Sequence, residues 1–449
     1  MSRFLFLALC VACAAPTPRP APVPPPIAAR PAEPEATATD RPLTPAERDV
    51  MASLQAAAVE VRRLPFLHPV VTRVRNAASI TQRLSEQMEE DDLAQASEIY
   101  KALGLLPADT DIRDLLEGVL GEQVVGYYDP DQGEMVIRDD VMATLLRGGP
   151  AAEEPEGILV HELVHALQDQ HHDLKALYEQ DRNNDASGAL RSLVEGDATL
   201  AMVALGARAG DVQRLSQQIA GNVPTLEEMM VDTAMPQGGM TLSQAPAIVR
   251  ATLVVPYLAG LGFCTYWASK GGWAAVERQF EDLPLSTEQV LHPEKSASRE
   301  RPVEITIPSL DDQLGPEGLG TEMIDEDTLG ELELAVYFGQ GRTSGVHADA
   351  AAGWSGDRLR VYRGGPMGAA VVWLTLWDDE DEALEAEAAA RHVGQEITGG
   401  HVQREGRAVV ILRNVPRARQ RPTTAALFRA AREAIDLHEA GPPPPPTAP

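Results

Sequence analysis

The stretch HELVHALQDQH at residues 161–171 decides how this chain is read. His161 and His165 stand four positions apart, so on an α-helix they lie on one face about one turn apart. Two imidazoles placed that way can hold one zinc ion. Glu162 follows the first of them and projects to the side of such an ion. There it can accept a proton from a water molecule polarised by the metal. Ile158, Leu159, Leu163, Val164, Ala166 and Leu167 keep the flanks apolar. An exposed helix would be polar on one side, so this one is expected in the interior, starting near Glu156-Gly157.

A catalytic zinc site takes three protein ligands and keeps one position open. Two residues compete to be the third ligand. His171 lies six residues after His165, the spacing of the metzincin pattern HExxHxxGxxH. That pattern needs glycine at position 168 so that the chain can turn back. Position 168 is Gln168, and on an unbroken helix six residues turn ~600°, which points His171 ~120° away from His165. Met229, Met230, Met235 and Met240 offer no Met-turn context. The other candidate is Glu195, in LRSLVEGDATLAMVALGA at 190–207, which reads as a second, apolar helix. A carboxylate there is costly unless paired or bound to metal. Gly196, Ala198 and Ala201 are small enough to let this helix approach the first closely. The set His161, His165, Glu195 is favoured, with Asp197 better suited to orienting a ligand histidine than to binding.

The motif pair HELVH and LVEGDAT resembles the gluzincins, zinc peptidases whose third ligand is a glutamate on a following helix. Three stretches are also similar to a family of uncharacterised bacterial and archaeal metallopeptidase-like proteins. They are GYYDPDQGEMVI at 126–137, HELVHALQDQHHDL at 161–174 and LSTEQVLHPEK at 285–295. The likeness covers roughly residues 50–300. It implies a zincin-like fold and a peptidase-type site, with one Zn2+ per chain on His161, His165 and Glu195 and with Glu162 as general base; it names no substrate, and a peptide or protein is the one expected. All four residues are intact.

Around the motif, EQVVGYYDPDQGEMVIRD at 122–139 reads as strand, turn, strand, because Val, Tyr and Ile favour strands and Asp-Pro-Asp-Gln-Gly favours a turn. Such a strand could pair with extended substrate, or the hairpin could be purely structural. In PLSTEQVLHPEKS, Ser286 opens a short helix that Pro293 ends. His292 on that turn is a candidate donor to the oxyanion formed in hydrolysis, with a capping or surface role as the alternative. Tyr127, Tyr128 and Tyr257 could supply a hydroxyl for the same purpose.

Composition sets limits. The 449 residues suffice for two domains. The net charge of −29 excludes nucleic acid and anionic membrane surfaces as expected partners. Residues 1–15 read as an export signal: Arg3, then an apolar run from Phe4 to Ala12 too short to span a bilayer. Cleavage after Ala14 would release a secreted protein. Cleavage before Cys13, with lipid on that thiol, would give a bacterial envelope lipoprotein, and this is the favoured route and the one expected membrane contact. Cys10 then leaves with the signal, and Cys264 remains as a buried apolar residue.

The expected fold class is α+β and mostly helical. Residues 16–45 form a Pro-rich linker, 46–310 a zincin-like metallopeptidase domain, 311–440 a small α+β accessory domain, and 441–449 a Pro-rich disordered tail. Thr44 caps a first helix. Ala245 to Phe263 reads as a buried helix pair, interrupted at Pro256. Beyond 310, helices are expected over 327–338, 380–392 and 423–437. Strands are expected in DRLRVYRG, AAVVWLTLWD and RAVVILRNVP. A non-catalytic envelope protein with structural zinc is the rival to a peptidase.

Overall fold

The computed structural model describes residues 39–87, 90–120, 124–231, 245–314, 319–364, 368–397 and 399–441. The export signal with Cys10 and Cys13, the linker up to residue 38, Met235, Met240 and the tail beyond 441 lie outside the described residues. Thr44 caps the first long helix, Pro45–Arg62, in a reciprocal capping box with Glu47, as its sequence predicts. Residues 40–42 depart from the linker reading. Asp40–Pro42 forms strand β1, paired antiparallel with β2 (Val71–Arg75). Asp40 is held there by Arg73 at 2.8 Å, and an edge position tolerates Pro42.

The hairpin at 126–137 forms as expected, with β3 (Gly126–Asp129) antiparallel to β4 (Glu134–Arg138). β4 also pairs parallel with β2, so the sheet order is β1-β2-β4-β3 and β3 is an edge. Gly126 is required here. A Cβ would fall 2.6 Å from the Val136 carbonyl oxygen and 2.9 Å from Leu159 of the motif helix.

The motif helix runs Pro150–His172 and starts earlier than its sequence suggests, with Pro150 in the first turn, where a missing N–H costs nothing. Every residue from Ile158 to Leu167 is buried. One side packs on Val74, Tyr128, Met135 and Ile137 of the sheet, and on Met51, Leu54 and Ala58 of the first helix. Val164 meets Ala198 and Ala201 of the helix Asn184–Gly206, which carries Glu195.

Ala247–Gly271 is one continuous helix, not a pair, with Pro256 inside it. Its length and hydropathy would suit a membrane span, yet most of that apolar stretch is buried in the protein. Gly196 faces this helix and not the motif helix: a Cβ on Gly196 would lie 2.1 Å from the Gly260 carbonyl carbon.

The C-terminal part is an antiparallel sheet ordered β5-β6-β7-β9-β8. Its strands are β5 (Leu319–Asp327), β6 (Trp354–Gly364), β7 (Ala370–Trp377), β8 (His401–Glu405) and β9 (Ala408–Arg413). β5 and β8 were not foreseen, and the helix expected over 327–338 begins at Gly330. The last helix is longer than expected, Arg417–Ala440. Along β7 the side chains alternate between two cores. Val371, Trp373 and Trp377 join Leu190, Leu193 and Phe263 in the large core of the helical part. Val372, Leu374 and Leu376 pack on Leu427 and Ala431 of the last helix. Both faces are covered, which explains why AVVWLTLW is apolar at every position but Thr375. The fold is α+β and mostly helical, as expected.

Candidate metal centre

His161 and His165 project from one face of the motif helix toward Glu195. The His161 Nε2 and His165 Nε2 atoms are 3.1 Å apart, and they lie 3.2 Å and 3.3 Å from Glu195 Oε2. All three side chains are buried. Donors so spaced share a centre roughly 1.85 Å from each atom. That spacing is compatible with the ~2.0–2.1 Å bonds usual for zinc to nitrogen or oxygen. Two imidazoles and a carboxylate also match zinc in donor type, and the residues therefore fit such an ion.

The surroundings fix the histidine tautomer. Gln168 donates its Nε2 to the Val194 carbonyl at 2.9 Å and to Asp197 Oδ2 at 2.8 Å. Its amide oxygen then faces His165 Nδ1, 2.8 Å away, so Nδ1 carries the hydrogen and Nε2 presents its lone pair to the centre. Asp197 is itself held by Arg62, the last residue of the first helix, at 2.8 Å. Arg62 also reaches Glu277 at 2.6 Å and lies over the Trp273 ring. A chain of contacts thus runs from Glu277 through Arg62, Asp197 and Gln168 to His165.

Glu162 is fully buried, and its Oε2 accepts the Tyr128 backbone N–H of edge strand β3 at 2.8 Å. Burial alone would push the Glu195 carboxyl up, but the two imidazoles outweigh it and bring it to about 2. Burial likewise pushes His165 down, and the Glu195 and Glu162 charges reverse this to about 9. Without an ion the His165 ring is thus held protonated beside a firmly ionised carboxylate, and a cation bound there would take the place of the Nε2 proton.

Other candidates are placed elsewhere. His171 points away, as the helix geometry predicts, and its Nε2 lies 2.9 Å from the Pro65 carbonyl. His292 is not brought to the group. Its Nε2 is 2.9 Å from Glu331 Oε1, and it lines a separate cavity. Tyr127 accepts from Arg75, and Tyr128 donates to Asp169 at 2.6 Å. Tyr257 is the one of the three stacked on a candidate ligand, its ring centroid 5.8 Å from that of His161.

Sequence reading missed Gln168 as an orienting residue, having weighed it only as a glycine that was not there. It also missed Arg62, which nothing local distinguishes from a helix-terminal basic residue. Tyr178 went unnoticed too. Burial first and then the Glu195 charge push its phenol well up.

Residues 318–436 match a domain of unknown function (DUF8575). The match runs from the start of β5 into the last helix and does not reach His161, Glu162, His165 or Glu195. No curated protein matches the chain, and no solved structure does. The DUF8575 segment nevertheless touches the helix that carries Glu195. At that helix's start, the Asn184 N–H donates to Asp327 and the Asn184 side chain to Glu333.

Proposed function

We propose that this chain is an exported zinc-dependent peptidase of the gluzincin type. The observation that carries the reading is the convergence of His161, His165 and Glu195, from two separate helices, with Glu162 adjoining on the same helix turn. Zinc held by these three side chains supplies a Lewis acid that makes water acidic near neutral pH. The chain's own residues do the rest. Glu162 takes a proton from the attacking water and returns it to the departing amine nitrogen. The Tyr128 N–H fixes its carboxylate in place. Gln168, backed by Asp197 and Arg62, keeps the His165 Nε2 lone pair turned inward.

A peptide substrate suits the neighbouring sheet. Among the described residues β3 pairs with β4 on one side only, and extended peptides commonly add as a strand to such an edge. Pairing there would bring a backbone carbonyl to the side of Glu162. The acidic chain and its Pro-rich leader fit a protein held outside the cytoplasm, through Cys13 if lipid is attached there.

The test is zinc analysis together with digestion of a mixed peptide library, for the unsubstituted protein and Glu162→Gln. The expected result is one zinc per chain in both, with cleavage lower by ~10²–10⁴-fold in the variant. Unchanged cleavage in Glu162→Gln removes the proposed mechanism. Zinc binding without any cleavage by the unsubstituted protein would favour a structural metal site.

A further inference from the structure

The two histidines of the group are held in different ways. Gln168 fixes His165 through its Nδ1 at 2.8 Å. The hydrogen bonds of His161 all run from Nε2, toward Glu195 and His165, and among the described residues its Nδ1 has no partner. A ligand histidine is ordinarily oriented by a bond on its second nitrogen. Without one, the imidazole can turn about its Cβ–Cγ bond, where the preferred angles are broad, and carry Nε2 off the centre.

A ring stands where that bond is missing. Tyr257, on the helix Ala247–Gly271, lies against His161 with 5.8 Å between ring centroids and 24° between ring planes. That falls in the range of an offset stack. The His165 ring meets His161 at 87°, 4.7 Å away, so two rings of different orientation bound the imidazole. Tyr257 is only 8% exposed, and packing holds it in turn. The helix crossing explains its place. Gly260 follows Tyr257 by three residues and shares its face. A Cβ on Gly260 would meet Ser192 and Gly196, which flank Glu195. The close approach that seats Glu195 against this helix thus also sets Tyr257 beside His161.

We propose that Tyr257 is the positioning residue of His161, and that its ring, rather than its hydroxyl, keeps the imidazole turned so that Nε2 faces the metal. A turned imidazole would press its edge into the face of the tyrosine. Sequence alone offered Tyr257 as a hydroxyl donor to the oxyanion; the stack gives it a different task. The inference rests on the zinc reading of His161, His165 and Glu195, and it does not depend on peptidase activity.

Zinc affinity of the full chain, measured by competition with a chelator, tests this on Tyr257→Phe and Tyr257→Leu. The phenylalanine variant keeps the ring and should bind zinc as the unsubstituted protein does. The leucine variant should bind about tenfold more weakly. Cobalt(II) in place of zinc gives a second readout, because its visible absorption follows ligand geometry: the spectrum should be preserved in Tyr257→Phe and altered in Tyr257→Leu. Val255→Ala controls for loosened packing. Val255 is buried on the same helix and points ~200° round it from Tyr257, so this variant should lose stability and keep its zinc affinity. Equal affinity in Tyr257→Leu and the unsubstituted protein overturns the proposal. So does an equal loss in Tyr257→Phe, which would assign the role to the hydroxyl, or in Val255→Ala, which would assign it to packing at large. Should Tyr257→Leu fail to fold, Tyr257→Met takes its place with the same expected loss. An unsubstituted protein that binds no zinc overturns the proposal together with the metal site. The expected differences in zinc affinity, found without any peptide cleavage, support it and remove only the peptidase reading.

Discussion

Gln168 shows how much of a metal site rests on a residue that never meets the metal. Its amide is locked by two acceptors, the Val194 carbonyl and Asp197, and that lock settles which nitrogen of His165 faces the centre. Outer partners of this kind typically govern metal affinity by ~10–100-fold. Gln168→Ala should therefore weaken zinc binding by about that factor, measured by competition with a chelator, while the motif helix stays folded by circular dichroism. Unchanged affinity would show that His165 orients itself. The same assay separates the two possible third ligands. Glu195→Ala should lose stoichiometric zinc, whereas His171→Ala, whose ring is turned to the Pro65 carbonyl, should keep it. The reverse pattern would overturn the ligand set.

At the scale of elements, the position of Glu195 is set by a close helix crossing. A Cβ on Gly260 would lie 1.9 Å from the Ser192 carbonyl oxygen, and Glu195 sits between Ser192 and Gly196 on the helix so approached. Gly260→Ala must push the two helices apart. We expect a loss of ~1–3 kcal/mol or more in stability together with weaker zinc binding, since Glu195 moves with its helix. Gly206→Ala, at the far end of the same helix, meets nothing within 4 Å and serves as the control. A Gly260→Ala protein that melts like Gly206→Ala would deny the crossing its role. This element also marks how far the sequence could be read. The four-residue spacing of His161 and His165, and an acid inside an apolar run at Glu195, are local signals. They sufficed for the three donors and for both helices. The partner of Gly196 was misassigned to the motif helix, because small residues announce a close approach without saying to what. Ala247–Gly271 was split at Pro256, because a proline's local cost says nothing of the packing that holds Val254, Val255 and Tyr257 buried around it. Strands β1, β2, β5 and β8 were missed because their pairing, not their residues, makes them strands.

For the whole molecule, the seam between the helical part and the DUF8575 segment is a cluster of buried acids. Burial raises Glu333 to about 8, Asp185 to about 7 and Asp327 to about 6, with neighbouring carboxylates adding to the rise. Their partners are neutral donors: Tyr100 and Asn184 on Glu333, and Thr287 on Asp185. Each acid is held more easily protonated in the folded chain than in the unfolded one. Its stabilising contribution is therefore complete below the unfolded value near pH 4, and it is lost as pH rises through 6 to 8. Glu277 and Glu47 act in the opposite sense. Their folded values fall to about 2, so what they contribute disappears as pH drops from about 4.5 toward 2. The two sets together place maximum stability in mild acid. Glu333→Gln isolates the seam, because glutamine still accepts from Tyr100 and Asn184 and carries no charge. Its melting temperature should match that of the unsubstituted protein near pH 5 and exceed it increasingly toward pH 8.5, by the equivalent of ~1–3 kcal/mol. A gap that does not change with pH would mean that Glu333 ionises alike in the folded and unfolded chains, with no burial penalty on its charge. Because the helix that begins at Asn184 carries Glu195, loosening of this seam at high pH should reach the metal centre as well. Zinc retention above pH 8 should then be better in Glu333→Gln than in the unsubstituted chain.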